Sequence, residues 1–167
     1  HSLHLMFLAT TANQKYWDHD QDVLFLGEWC RLYSEKHIWS KIKHEVLPSH
    51  WDEPERLEVH YLYLQTVQEK YLKILATKFN KIHGENYSLR YWRIVLGPWL
   101  IIFVGIIYDR YLSVRQAIDS RLVSHTWLPP IKLGDWVSSD FENFRCLLQD
   151  DNFNLCLYGN IIIELGQ

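Results

Sequence analysis

Two polar segments, each directly behind an apolar run, hold the side chains best suited to chemistry. Thr10, Thr11 and Asn13 follow the run that ends at Ala9, and Glu28, Trp29 and Cys30 follow the run that stops at Gly27. Hydroxyls and an amide can hydrogen-bond a polyol, and an indole face can stack on a sugar or a planar ligand. A carboxylate whose pKa is raised by partial burial can remove a proton, so Glu28 is a candidate general base. The same carboxylate could instead pair with Arg31 or a helix N-terminus. Cys30 beside Arg31 is either an activated thiol or a small buried core residue.

Two further groups belong on the same page. His50-Trp51-Asp52 sets a histidine beside an aromatic wall and a carboxylate, an acid/base arrangement if it faces a crevice, although Asp52 is equally a helix N-cap. Arg90 and Arg93 stand three residues apart, on one face of a helix, just before Gly97-Pro98-Trp99. Two guanidiniums so placed could grip a phosphate or carboxylate; the alternative is pairing with Glu85 or Asp109.

The elements that must position these residues follow from periodicity. Leu3 to Ala9 and Val23 to Leu26 are continuous apolar runs of strand length, as expected for parallel strands covered on both faces. Glu28 to His50 is irregular, a loop with room for a short strand. A long helix is expected from Asp52, with Pro54 in its first turn and Gly84 at its end. Leu57, Tyr61, Leu64, Tyr71, Leu75, Phe79 and Ile82 should form its buried face. A second helix should begin at Asn86 or Ser88 and run to about Ile118, kinked or restarted at Pro98. Its fourteen uncharged residues, Ile94 to Ile107, span only about 20 Å and predict a buried helix rather than a membrane span. Leu122 to Leu128 reads as a strand. Asp135 or the Ser138-Ser139-Asp140 segment can cap a helix to Leu148, and Asp150-Asp151 another to Ile163.

This order, strands with long crossovers, predicts an α/β, helix-rich fold: a partial Rossmann-like parallel sheet flanked by long helices, in a single domain over residues 1–167. The loops after the first two strands should converge on one crevice. Composition narrows the partners. With 17 Lys plus Arg against 20 Asp plus Glu, a net charge of −3 gives no general attraction to nucleic acid. Three widely spaced cysteines fit a reducing compartment, and no metal-ligand spacing is present. The Walker, dinucleotide-fingerprint, nucleophile-elbow and HExxH patterns are all missing.

Several segments together carry a resemblance: Phe7-Leu8-Ala9-Thr10-Thr11, Leu26-Gly27-Glu28-Trp29-Cys30-Arg31, Leu47-Pro48-Ser49-His50-Trp51-Asp52, and above all Tyr87 to Leu100 with Tyr108-Asp109-Arg110-Tyr111. They are similar to the N-terminal region of transferases encoded in bacterial O-antigen clusters, a family first named from a spirochaete protein. The similarity covers most of residues 3 to about 128. It implies a surface-polysaccharide transferase of the two-Rossmann-domain glycosyltransferase architecture, moving a sugar or a polyol phosphate. On that reading this chain is the acceptor side, binding a saccharide or lipid-linked saccharide. A C-terminal domain of the same protein would hold a nucleotide-activated donor, and no cofactor belongs to this chain. Glu28 or His50 would be the base, with Thr10, Thr11, Asn13, Trp29, Arg90 and Arg93 binding substrate. The expected location is cytoplasmic, at the inner face of the membrane if Ile94 to Ile107 were exposed. The other reading is a non-catalytic module that binds a saccharide or a protein.

Overall fold

A computed structural model describes residues 4–130 and 137–166. Leu3 and Asp135, used above for a strand start and a helix cap, lie outside the described residues. Four short strands, β1 (Met6–Ala9), β2 (Val23–Phe25), β3 (His44–Val46) and β4 (Val123–His125), form one sheet in the order β3-β2-β1-β4. All three pairings are parallel. The fold is therefore helix-rich α/β with a parallel sheet, as the apolar runs predicted. Central β1 and β2 are buried at every residue, which is why they read as unbroken hydrophobic runs. Three strands stood out in the sequence. The fourth, β3, is the His-Glu-Val edge strand, half exposed and so without an apolar signature.

The chain divides into two compact units. The first takes the residues up to His50 and those from Arg110 onward, and the second is Trp51–Asp109. Among the described residues the α-helices are α1 (Lys36–Trp39), α2 (Pro54–His83), α3 (Leu89–Asp119), α4 (Phe141–Leu147) and α5 (Asp151–Glu164). In the first unit, β1, β2, Trp17 and Cys30 form the core with Val114 and Ala117 of α3 and Tyr158 and Ile162 of α5. Asp140 and Asp150 cap α4 and α5, their carboxylates accepting from the amides of Asn143 and Phe153.

The second unit holds α2 and the first part of α3. Pro54 opens α2 as expected, but the N-cap position is Glu53, without a side-chain hydrogen bond, and Asp52 is not the cap. Gly84 ends the helix in the left-handed region at φ 68°, a conformation glycine adopts without Cβ strain. Asn80 then locks the turn: its amide donates to the Tyr87 carbonyl, and its carbonyl oxygen accepts from the Tyr87 amide and from Trp92 Nε1. Leu72, Ala76, Trp92 and Leu100 are the buried residues here, with Leu75 and Phe79 packed against them. The expected buried face of α2 is thus displaced, because Leu57, Tyr61, Tyr71 and Ile82 all stay exposed. Tyrosine counts as apolar in a periodicity but keeps its hydroxyl at water, as Tyr61 does in bonding Gln65.

Helix α3 does not restart at Pro98: it is one helix of 31 residues, about 46 Å, with the proline inside it. The apolar run is not a buried core helix: Ile94, Val95, Ile101 and Phe103 are exposed, and only 17% of its most apolar 18-residue window is buried. By length and composition alone, α3 is long and apolar enough to cross a membrane. The fourteen-residue count missed this because it stopped at the flanking charges, whereas the helix extends through them.

Candidate functional site

At the carboxyl ends of β1 and β2 the first unit has an open cavity of about 590 Å³. Asn13, from the loop after β1, and Trp29, from the turn after β2, both line it. Parallel sheets bind ligands at this edge because the loops that leave it can converge. Arg110 of α3 and Asp151, Asn154 and Tyr158 of α5 complete the polar and aromatic wall.

Each wall group has a local cause. Trp29 lies on a short 3₁₀ turn, Glu28–Cys30, and stacks on the buried Tyr158 ring with centroids 6.3 Å apart and planes 10° from parallel. Gly27 makes room for it, since a Cβ there would lie 1.8 Å from Trp29 Cζ3. Trp29 remains 46% exposed, so the indole packs on Tyr158 and still presents surface to solvent. Arg110 donates from Nε to Asn154 Oδ1 at 3.1 Å and lies over the Tyr158 ring, 5.8 Å from its centroid. The amide of Asn154 in turn donates to the carbonyls of Leu148 and Asp150, which fixes its flip.

Thr11 is fully buried beneath this wall. Its hydroxyl accepts from the Asn13 amide at 3.0 Å and donates to Asp151 Oδ2 at 2.5 Å, and its carbonyl accepts from Trp17 Nε1 at 2.8 Å. Thr10 is buried beside it, its hydroxyl without a hydrogen-bond partner. Both threonines are packed under the loop rather than presented to the cavity.

The remaining candidates lie elsewhere. Glu28 is 74% exposed in its side chain and pairs with Arg31, the structural alternative raised for it. Arg31 also contacts His44 Nε2 at 3.1 Å and lies over the Trp39 ring. His50 is half-buried, its Nδ1 3.5 Å from Ser113 Oγ, and does not line the cavity. Its sequence neighbour Trp51 donates to Asp109 at 2.6 Å within the second unit. Arg90 and Arg93 belong to that second unit, where Arg90 is exposed and Arg93 makes a two-pronged contact with Glu69. The pair lowers the Glu69 pKa and raises that of Arg93, chiefly through their hydrogen bonds. Cys30 is a core residue, its thiol 3.6 Å from the Ala9 carbonyl. Burial pushes its pKa up to about 12, against activation as a nucleophile. Among the described residues no cluster of His, Cys, Asp and Glu could hold a metal ion.

Sequence reasoning missed Asp151, Arg110, Asn154 and Tyr158. One signal was available: Asp150 and Asp151 are consecutive where a cap needs a single aspartate, leaving the second to be explained.

The parallel β3-β2-β1-β4 sheet, with a polar, aromatic-walled cavity at its carboxyl edge, makes this a helix-rich α/β protein. The chain belongs to the LIC12162 family of transferases, whose family model matches residues 6–167. No curated protein and no solved structure gives a significant match.

Proposed function

We propose that this cavity is the acceptor site of a transferase that moves a sugar or polyol phosphate in bacterial surface-polysaccharide assembly. The acceptor is a saccharide or lipid-linked saccharide, and a nucleotide-activated donor is held by another part of the same protein. The observation that carries this reading is the composition of the cavity wall. A partly exposed indole backed by a parallel tyrosine stands beside the amides of Asn13 and Asn154, the Arg110 guanidinium and a carboxylate. Sugar rings present C–H faces to aromatic rings and hydroxyls to planar amide and acid groups, so such a wall suits a saccharide. Membership in a transferase family supports the reaction class.

The test is tryptophan fluorescence titration with glucose, galactose, rhamnose, N-acetylglucosamine and their common disaccharides. At least one should bind to the wild-type protein, and Trp29→Ala should weaken it about tenfold or more. Equal binding by W29A, or no binding across the panel, would remove the assignment.

A lipid surface as a second partner is favoured by the exposed Ile94, Val95, Ile101 and Phe103 on an uncharged stretch of α3. Tyr87, Arg90 and Tyr91 flank that stretch at one end, and Tyr108 and Tyr111 at the other, residue types that settle at a membrane interface. On this reading the reaction takes place at the inner face of the cytoplasmic membrane. Flotation with vesicles of phosphatidylethanolamine and phosphatidylglycerol should carry the protein upward, and Ile94→Glu with Ile101→Glu should abolish it. A wild-type protein that stays at the bottom of the gradient would exclude this partner.

A further inference from the structure

We propose that Asp151 is the catalytic base of this site and that Thr11 is its positioning residue, an assignment that rests on the cavity being the acceptor site. Among the described residues that line the cavity Asp151 is the one carboxylate, and neither Glu28 nor His50 lines it. It is solvent-exposed, so a bound acceptor can reach it.

The orientation of Asp151 comes from a group 140 residues away in sequence. The Thr11 hydroxyl has one proton. Because its oxygen accepts from the Asn13 amide, that proton is directed to Asp151 Oδ2. Thr11 cannot turn away, because it is 0% exposed and its carbonyl holds Trp17 Nε1. One carboxylate oxygen is thereby anchored, while a carboxylate has two oxygens and about four lone-pair sites. The remaining capacity is what an acceptor hydroxyl needs. Trp29 and Asn13 on the same wall supply a stacking face and a polar contact that would bring a sugar hydroxyl to it.

The step balances as follows. Asp151 takes the proton of the acceptor hydroxyl as its O–H bond breaks, and the oxygen forms a bond to the activated carbon of a nucleotide sugar. The bond from that carbon to the phosphate oxygen breaks, and the nucleoside diphosphate leaves with the electron pair. Asp151 afterwards returns the proton to solvent.

Transfer in the full-length protein tests this, with UDP-, GDP- and dTDP-sugars as donors and the saccharide bound in the fluorescence panel as acceptor. Asp151→Asn should bind that saccharide within about threefold of wild type and lose about 100-fold or more in kcat. Thr11→Val should lose less, about tenfold in kcat, with the KM for the saccharide within about threefold of wild type, because the carboxylate stays in place but loses the bond that orients it. Thr11→Ser, which keeps the hydroxyl, should restore kcat. A D151N enzyme with kcat within tenfold of wild type, while W29A is impaired, would overturn the base and leave the acceptor site standing. A T11V enzyme with kcat within about twofold of wild type, or one whose loss T11S does not rescue, would overturn the positioning role. No transfer by the wild-type enzyme from any donor would overturn the acceptor site and the base together.

Discussion

Replacing Gly27 by alanine places a methyl carbon where the Trp29 ring lies. The new Cβ would stand 1.8, 2.3 and 2.4 Å from three ring carbons, distances that carbons of two separate side chains cannot hold. The backbone itself accepts alanine, because φ −176° and ψ 174° are extended geometry open to any residue. The whole cost therefore falls on the indole, which is 46% exposed and can swing into water. Swinging out gives up the parallel stack on Tyr158, a contact of about 0.5–1.5 kcal/mol for an aromatic pair. Gly27→Ala should thus destabilise the protein by about 1 kcal/mol, shift Trp29 emission to the red and weaken saccharide binding as W29A does. Urea unfolding of wild type, G27A, W29A and the double variant gives the coupling directly. In the W29A background the alanine should cost no more than about 0.3 kcal/mol, within the usual error of additivity. Equal costs in both backgrounds would refute the argument that Gly27 exists to seat the ring.

Other consequences are as specific. Cys30 has a folded-state pKa raised from 9.0 to about 12 by burial, so its contribution to stability is intact below pH 9 and is lost as pH rises toward 12. Wild type should lose stability relative to Cys30→Ala by about 1.4 kcal/mol per pH unit above pH 9, read from urea midpoints between pH 8 and 11. A constant difference would contradict the burial argument. Asn80→Ala removes the acceptor of the buried Trp92 indole and two bonds to Tyr87, and should cost about 1–3 kcal/mol in the same assay. Asn80→Asp keeps the acceptor oxygen and should cost less. Cys146 is exposed whereas Cys30 and Cys156 are buried, so a thiol reagent at pH 8 should modify Cys146 first. Mass spectrometry of the labelled native protein checks this.

The legible part of the fold was the part set by local pattern. β1 and β2 are buried on both faces and so read as solid apolar runs, and Asp140, Asp150 and Gly84 mark helix ends by their own chemistry. β3 was faint because an edge strand with exposed Glu45 needs no apolar alternation. The exposed face of α3 was misread because an uncharged run does not say whether protein covers it. In the site, Asn13 and Trp29 were visible as loop residues behind apolar runs. Asp151 and Tyr158 were not, because their roles depend on contacts with Thr11 and Trp29 more than 120 residues away. Asp109 accepts from Trp51 and Arg110 donates to Asn154, contacts across 58 and 44 residues that no local pattern reports.

The central claim, that an acceptor saccharide sits between Trp29 and Asp151, is tested most directly by amide hydrogen–deuterium exchange of the full-length protein. It should be run with and without the saccharide bound in the fluorescence panel. Protection should concentrate in peptides covering residues 10–13, 27–32 and 149–158, and should vanish in W29A. Protection confined to other peptides, with these three unchanged, would place the saccharide elsewhere and contradict the account.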